Sequence, residues 1–385
     1  MNKVAIIGYG ALGIGKYPRN TESELALEVI RLALEDAGVA KDEVEGLYAT
    51  PNYITTLGLH LSILAEYLRV SPRSMAEIGC GGIAAGLTLK YAANEIMLGN
   101  VRVAVCFGAV REHSLGIFKR QDFSEMFEPL TRVYAQGGVI WAYACSARRY
   151  MHEFGATEEH FALAAVRDRN AAMKNPLAYF KEKITVDDVL RSPVLSSPIK
   201  LLDASAARDG AAAIVLCTAE DARKYTDTPV YIRGIGEHHD NSAFVPTDRC
   251  KSITSFEANI LAARRAFEAA KLEPKDVDVA EVYAPFSPQE LMVPEDLGFF
   301  EKGEMVKAIE EGETEVGGRI PINTDGGLLS RGHPAMATPF YETISIIKQL
   351  RGEAPNQIAG AEIGLMHCEG GMLNNAMVFI FERGD

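Results

Sequence analysis

Residues 25–51 of this chain read LALEVIRLALEDAGVAKDEVEGLYATP, and residues 258–285 repeat the pattern as ANILAARRAFEAAKLEPKDVDVAEVYAP. Each stretch has apolar residues at helical spacing, then a turn, then a short apolar run typical of a strand. Several positions recur at one constant offset: Ala33, Glu35, Ala37 and Val44 correspond to Ala266, Glu268, Ala270 and Val277. We infer a duplicated α/β unit whose two copies pack face to face.

Nearly continuous apolar runs elsewhere predict central strands that are covered by helices on both faces. The predicted strands are Val4–Ile7, Val44–Tyr48, Val101–Phe107, Pro229–Gly234, Val279–Tyr283 and Ala376–Phe381. Residues 111–200 are polar and helix-rich, which indicates an inserted loop subdomain that shapes a substrate pocket. We therefore expect a first half from residues 1–110 with 201–225, the insertion 111–200, and a second half from residues 226–385.

Composition excludes several classes of function. The 385 residues carry a formal net charge of −13, which argues against nucleic acid or an anionic membrane surface as a general partner. No apolar run is long enough to span a bilayer, and the N-terminus resembles a strand more than a signal peptide. The six cysteines show no paired metal-ligand spacing. We expect a soluble, reduced, cytoplasmic protein without a metal site.

Three separate motifs carry residues for catalysis. Residues 77–86, EIGCGGIAAG, place Cys80 before a helical run, where backbone N–H groups and the helix dipole favour a thiolate. Residues 331–338, RGHPAMAT, place His333 in a tight turn before another helical run. Residues 366–372, MHCEGGM, place Cys368 beside glycines that allow close backbone approach. A thiolate, an imidazole and a second thiol suit carbon–carbon bond chemistry on thioesters.

Other histidines and glycines are less informative. His113, His238 and His239 are expected to be loop or surface residues. The run Gly8-Tyr-Gly10 with Gly13 mimics a dinucleotide-binding loop, but the acidic ribose partner is not well placed. We reject a dinucleotide site there.

The order and spacing of the three motifs resemble those of the thiolase superfamily over essentially the whole chain. The resemblance is closest to the branch of the sterol-carrier-protein-x and lipid-transfer-protein thiolases and the steroid side-chain aldolases. Residues 202–213, LDASAARDGAAA, and 317–327, GGRIPINTDGG, add to it. It implies an α/β fold in which two duplicated halves form a five-layer αβαβα sandwich, with dimerisation through the first half.

The resemblance also implies roles for residues. Cys80 would attack a 3-oxoacyl-CoA to form an acyl-enzyme, and His333 would accept its proton. Cys368 would protonate the leaving enolate, with His367 as an alternative acid–base group. Backbone N–H groups near Gly370 are natural oxyanion donors. The remaining residues expected at the substrate-binding surface are Asn323 and Met336. Coenzyme A is the expected co-substrate, and no bound cofactor is expected.

The chain also departs from the family pattern. Residues 283–286 read YAPF, where thiolases for simple substrates carry Asn-Glu-x-Phe and the sterol-carrier branch carries His-Asp-Cys-Phe. Tyr283 could donate its hydroxyl directly to an enolate oxygen. Met336 and Pro339 replace customary glycines, and Asn374 replaces another. These changes favour a bulky, branched or aromatic substrate, such as one of the benzoylsuccinyl-CoA type.

Three functions therefore compete. The leading one is a thiolase-type acyl-CoA C-acyltransferase, which cleaves a 3-oxoacyl-CoA or runs the reverse Claisen condensation. Decarboxylating ketosynthases use one cysteine with two histidines, unlike this chain. The second is a retro-aldol lyase that acts on a 3-hydroxyacyl-CoA through Tyr283. The third is a non-catalytic subunit of a hetero-oligomer, because relatives often need a small zinc-ribbon/OB-fold partner. A homodimer is expected in any case.

Overall fold

One large sheet organises the fold. A computed structural model describes residues 4–51, 59–116, 139–240, 251–371 and 374–384. The strands are β1 (Val4–Ala11), β2 (Gly46–Ala49), β3 (Ser74–Glu77), β4 (Val103–Val110), β5 (Val194–Ser196), β6 (Ile199–Lys200), β7 (Gly210–Thr218), β8 (Val230–His239), β9 (Val279–Val282), β10 (Ile363–Gly370) and β11 (Asn375–Arg383). The helices are α1 (Glu22–Ala37), α2 (His60–Leu68), α3 (Ala84–Met97), α4 (Glu112–Leu115), α5 (Ile140–Phe154), α6 (Glu158–Ala172), α7 (Val186–Arg191), α8 (Glu257–Ala270), α9 (Gln289–Asp296), α10 (Met305–Glu310) and α11 (Thr338–Arg351).

The large sheet consists of two halves. In the described residues its nine strands follow the order β3-β2-β4-β7-β1-β8-β11-β10-β9. The first five strands come from the N-terminal part of the chain and the last four from the C-terminal part. The halves meet where β1 pairs with β8 at two positions, Ala5 with Tyr231 and Ile6 with Val230. Because this seam is short, helix packing must hold the halves together.

Apolar clusters between the elements define the layers. Helix α1 and the buried side of α2 pack on the outer face of the first half-sheet. Helices α3 and α11 lie between the two half-sheets, where Leu89 and Phe340 share one cluster with Phe379 of β11. Helix α8 packs on the outer face of the second half-sheet. The expected five-layer αβαβα sandwich is therefore confirmed.

Helix α1 shows why the repeated stretch folds as it does. The side chain of Thr21 accepts a hydrogen bond from the backbone N–H of Glu24, whose carboxylate accepts one from the N–H of Thr21. Such a capping box contributes about 1 kcal/mol. The helix ends at Gly38, which adopts a left-handed conformation with φ of 63°. Its buried face contains Leu25, Ala26, Val29, Ile30, Ala33, Leu34 and Ala37.

Both copies of the repeat use glycines to bring a helix close to a strand. A Cβ at Gly10 of β1 would lie 2.4 Å from the carbonyl oxygen of Val29 in α1. A Cβ at Gly236 of β8 would lie 1.8 Å from the carbonyl oxygen of Ala262 in α8. Neither approach is possible with a side chain on the strand. The Gly8-Tyr-Gly10 run thus allows α1 to pack closely against β1.

The six predicted strands occur as β1, β2, β4, β8, β9 and β11. Strand β2 begins later than predicted, because Val44 caps the 3-10 turn Lys41–Glu43 through a hydrogen bond from its N–H to the carbonyl of Lys41. Strand β7 pairs with both β4 and β1, so the chain returns to the first half-sheet after the helices α4 to α7. The domain boundaries remain a prediction, and residues 117–138 of the insertion lie outside the described residues. None of the described helices is long and apolar enough to cross a membrane.

Candidate active site

A cavity of about 320 Å³ lies where α3 approaches the ends of β9 and β10. Three of the residues predicted from the sequence line it, namely Tyr283, His333 and Gly370. The lining also includes Tyr143, Phe286 and Glu369, which the sequence analysis did not select. The cavity thus combines aromatic surface with several groups that can donate or accept a proton.

Tyr283 and His333 form a hydrogen-bonded pair in the cavity wall. The hydroxyl of Tyr283, directly after β9, lies 2.6 Å from Nε2 of His333. The backbone holds His333 in place, because its N–H donates to Ala206 and its carbonyl accepts from the N–H of Arg208. Burial, with a smaller effect of Arg331, lowers the pKa of His333 to about 4. Burial raises the pKa of Tyr283 well above its usual range. Both side chains are therefore neutral near pH 7, and Nε2 can accept the phenol hydrogen when Nδ1 carries the ring proton.

Cys80 follows β3 and precedes α3, as the motif predicts, and its side chain is exposed. Nδ2 of Asn375, the first residue of β11, donates a hydrogen bond to Sγ of Cys80 over 3.0 Å. Among the described residues, the partner of His333 is Tyr283 and that of Cys80 is Asn375, so no hydrogen bond joins thiol and imidazole directly.

The loop after Cys80 makes the closest contact between the two halves at the site. A Cβ at Gly82 would lie 2.0 Å from the carbonyl oxygen of Glu369 and 3.0 Å from the hydroxyl of Tyr283. A Cβ at Gly370 would lie 3.3 Å from the backbone nitrogen of Gly82. Glycine on both sides therefore allows the start of α3 to approach the end of β10. This contact carries the loop of Cys80 to the cavity wall.

Cys368 is fully buried in the core. A Cβ at Gly86 of α3 would lie 2.9 Å from its Sγ, and Met377 packs beside the same point. Burial raises the pKa of the Cys368 thiol well above its usual range. Cys368 is not among the residues that line the cavity, and its acid–base role remains a prediction.

Like Cys80 and Cys368, three further predicted residues are not among those that line the cavity. His367 is buried, with Nε2 3.2 Å from Oδ1 of Asn259 in α8, and burial lowers its pKa to about 3. Asn323 accepts a hydrogen bond from the N–H of Val282 over 2.8 Å, which fixes the end of β9. Met336 lies in a nearly buried 3-10 turn before α11. Their predicted part in substrate binding is not tested by this geometry.

Glu369 and Tyr143 add a second polar pair to the cavity. The hydroxyl of Tyr143 in α5 donates to Oε1 of Glu369 over 3.0 Å. Side chains alternate along a strand, so Glu369 faces away from the α3 side to which Cys368 points. This alternation could have indicated Glu369 once β10 was assigned. No group of His, Cys, Asp and Glu in the described part of the chain is arranged to hold a metal ion.

Comparison with known proteins places this geometry in a family. Residues 236–383 match the model of the thiolase C-terminal domain-like family. The chain is 35% identical over its full length to the full length of an acetyl-CoA acetyltransferase of Methanothermobacter thermautotrophicus. It is 31% identical to the benzoylsuccinyl-CoA thiolase subunit BbsB of Thauera aromatica, over 96% of this chain and 95% of that one.

A solved structure agrees with these matches. An Ltp2-ChsH2(DUF35) aldolase superposes with a TM-score of 0.87 at 29% identity, covering 99% of this chain and 98% of that chain. The fold, the motif positions and full-length relatives above 30% identity lead to one conclusion: the chain belongs to the thiolase superfamily, in the branch that resembles the sterol-carrier and lipid-transfer-protein thiolases.

Proposed function

We propose that the chain is a thiolase-type acyl-CoA C-acyltransferase, which cleaves a 3-oxoacyl-CoA with coenzyme A or forms it in reverse, through an acyl-enzyme on Cys80. The observation that carries the proposal is the exposed Cys80 thiol, held 3.0 Å from the Asn375 amide on the loop that reaches the cavity. A nucleophile with a hydrogen-bond donor suits reversible acyl transfer, because a thiolate both attacks and leaves readily.

In the proposed cleavage, Sγ of Cys80 attacks the 3-oxo carbon and its proton passes to the neutral imidazole of His333. The Tyr283 hydroxyl then turns from His333 to the oxygen that becomes negative. The C2–C3 bond breaks, the acyl group stays on Cys80, and the shortened acyl-CoA leaves as its enolate. A neutral phenol donor in a water-poor cavity stabilises such an oxyanion by about 3–4 kcal/mol.

The cavity lining supports a bulky or aromatic acyl group. The rings of Tyr143 and Phe286 lie 4.9 Å apart, and Pro285 and Val139 extend the apolar wall. Apolar lining with few polar groups favours a hydrophobic ligand. An aromatic 3-oxoacyl-CoA of the benzoylsuccinyl-CoA type fits this surface better than acetoacetyl-CoA. Equal kcat/KM for acetoacetyl-CoA and an aromatic substrate would contradict this assignment.

Intact-protein and peptide mass spectrometry tests the acyl-enzyme. The protein is mixed briefly with a panel of acyl-CoA and 3-oxoacyl-CoA compounds, and the adduct is mapped to a peptide. We expect mass gain on Cys80, none in Cys80→Ala, and unchanged labelling of Cys80 in Cys145→Ala, which removes another exposed thiol. Turnover of a 3-oxoacyl-CoA by Cys80→Ala at the wild-type rate would overturn the proposal.

A second candidate is a retro-aldol lyase for a 3-hydroxyacyl-CoA. The 2.6 Å contact between Tyr283 and His333 favours it, because this pair can take the proton of a substrate hydroxyl without any thiol. The solved relative with the TM-score of 0.87 is named an aldolase. Cys80→Ala distinguishes the two reactions, since a lyase keeps its activity on 3-hydroxyacyl-CoA compounds after that change.

The assembly is also part of the proposal. We propose a homodimer, and a small zinc-ribbon/OB-fold subunit is supported by the DUF35 component in the name of the aldolase relative. Light scattering of the isolated chain, followed by affinity purification from its native source, tests both. A chain that binds such a subunit but forms no Cys80 adduct with or without it would indicate a non-catalytic subunit.

A further inference from the structure

A buried carboxyl group in the cavity wall has one oxygen without a protein partner. Glu369 is 1% exposed, and its Oε1 accepts the hydrogen bond from the Tyr143 hydroxyl. Its Oε2 has no hydrogen-bond partner in the described residues. An unpaired buried carboxyl oxygen is costly by roughly 1–3 kcal/mol, which is a reason to look for a ligand or a proton at that position.

The surroundings of Glu369 contain no described cation that would keep it ionised. The groups that act on it are the Tyr143 hydroxyl, Glu342 of α11 and Asp296 of α9, and burial is the largest influence. Burial and the two carboxylates raise the pKa of Glu369 well above its usual range, and the Tyr143 hydrogen bond opposes them. These influences favour the protonated form of the side chain, which has a proton to give.

We propose that Glu369, oriented by Tyr143, is the catalytic acid–base group that exchanges a proton with C2 of the acyl-CoA. This assignment rests on the proposed thiolase function, for which the sequence motifs point to the neighbouring Cys368. The geometry separates the two residues, because Glu369 lines the cavity and Cys368 packs against Gly86 in the core.

The proton balance closes with this residue. When the C2–C3 bond breaks, the electron pair stays on C2, and the Glu369 carboxylic acid gives its proton to form the new C2–H bond. The resulting carboxylate takes a proton from solvent water, and the imidazolium of His333 gives one up to solvent. The neutral His333 then takes the proton of the thiol of coenzyme A, whose sulfur attacks the thioester on Cys80. Cys80 leaves as a thiolate and takes that proton from His333, so all three side chains return to their starting states.

Proton exchange at C2 in D₂O measures this step apart from acyl transfer. Wild type and Glu369→Gln are incubated with acetyl-CoA, propionyl-CoA and succinyl-CoA, and deuterium at C2 is followed by mass spectrometry together with acylation of Cys80. We expect Glu369→Gln to lower the exchange rate by roughly 10²–10⁴-fold. Acylation of Cys80 should stay within about threefold of wild type, since it needs no proton at C2.

A matched control exists in the same helix. Tyr150 of α5 donates to Oε1 of Glu295 over 2.6 Å, which is a second buried Tyr–Glu pair outside the cavity lining. Glu295→Gln should leave C2 exchange unchanged. Glu369→Asp, which restores a carboxylic acid, should exchange faster than Glu369→Gln, and this comparison holds even where both variants lose stability.

The outcomes separate the two proposals. Three outcomes would overturn the assignment of Glu369. Exchange could persist in Glu369→Gln, it could be lost in Cys368→Ala, or wild type could show no exchange with any of the compounds. Equal loss of exchange and of Cys80 acylation in Glu369→Gln overturns it as well, since a structural role predicts that pattern. If wild type exchanges the C2 proton but forms no adduct on Cys80, Glu369 remains the proposed acid and the proposed acyl-enzyme is overturned.

Discussion

The Tyr283 hydroxyl lies 2.6 Å from Nε2 of His333. The family resemblance implies that His333 accepts the proton of Cys80, but its Nε2 is hydrogen-bonded to a phenol instead. Tyr283 stands where thiolases for simple substrates carry an asparagine. Any substrate oxygen that enters the cavity must compete with His333 for this hydroxyl. In the proposed reaction, the pair therefore links substrate binding to the ability of Nε2 of His333 to accept a proton.

Removal of the hydroxyl of Tyr283 tests that link. We expect Tyr283→Phe to lower kcat by roughly 10²–10³-fold with little change in KM, because an oxyanion donor is lost. The variant should also lose about 1 kcal/mol of stability, since the hydrogen bond to Nε2 of the half-buried His333 is lost. Steady-state kinetics and thermal unfolding measure both effects.

Tyr341→Phe is the matched control for that change. The hydroxyl of Tyr341 accepts from the N–H of Ala211 over 3.0 Å and donates to the carbonyl of Leu12 over 2.8 Å, away from the cavity lining. This variant should lose similar stability and keep its kcat. Equal kcat losses in both variants would show that Tyr283 acts through stability alone.

Gly82→Ala should misplace the nucleophile loop. The new Cβ would lie 2.0 Å from the carbonyl oxygen of Glu369, and that backbone cannot move aside freely because it belongs to β10. A shift of about 1 Å at a reacting group lowers the rate by roughly 10²-fold. We expect such a loss of Cys80 acylation rate, measured by rapid-quench mass spectrometry, in a protein that still folds.

Gly13→Ala serves as the comparison, because a Cβ at Gly13 meets nothing within 4 Å. Its acylation rate should equal that of wild type. An unchanged rate in Gly82→Ala would mean that the start of α3 does not position Cys80.

The pH profile of kcat/KM should reflect the buried state of His333. Burial and Arg331 lower its pKa to about 4, from an ordinary value of 6.5. The neutral imidazole that accepts a proton is then present throughout the neutral range, and activity that depends on it is lost only as the pH falls towards 4. Measurements from pH 5.5 to 8 should show no acidic limb near 6.5. An acidic limb at pH 6.5 would mean that the His333 side chain is exposed to solvent in the free enzyme.

Stability should depend on pH through Glu342. Burial, opposed by Arg331, raises the pKa of this fully buried carboxyl to about 8. The unfolded chain releases the proton near 4.5 and the folded chain near 8, so this group lowers stability as the pH rises between these values. Glu342→Gln removes the titration, and its stability relative to wild type should rise by up to about 5 kcal/mol across that window.

Thermal unfolding at pH 5 and pH 8.5 measures that difference. Glu362→Gln, at a carboxylate with a side-chain exposure of 67%, is the control for the loss of a carboxylate at the surface. A constant offset between Glu342→Gln and wild type at both pH values would contradict the raised pKa of Glu342.

Much of the fold was predictable because each copy of the repeat shows where its helix ends and its strand begins. Apolar spacing located α1 and α8, and the apolar runs located six strands. Strand β10 was not predicted, because His367 and Glu369 interrupt the apolar run of residues 363–370. A strand buried on both faces shows no alternation of polar and apolar residues.

The site was predictable in part for a related reason. Motifs identify residues at element ends, such as Cys80, Tyr283 and His333. The contact of Asn375 with Cys80 depends on the register of β11 against β10, where Asn375 lies opposite Gly370. Spacing along the chain contains no information on that register.

The close approach of Gly82 to the Glu369 carbonyl joins the two half-sheets at one site. Cys80 follows a strand of the first half-sheet, whereas Tyr283 and Glu369 lie on or directly after strands of the second, so the site needs both. A substitution at one side of this contact is acceptable only if the other side leaves room for it. The two half-sheets divide the chemistry between them, and each therefore limits the substitutions that the other can accept at this contact.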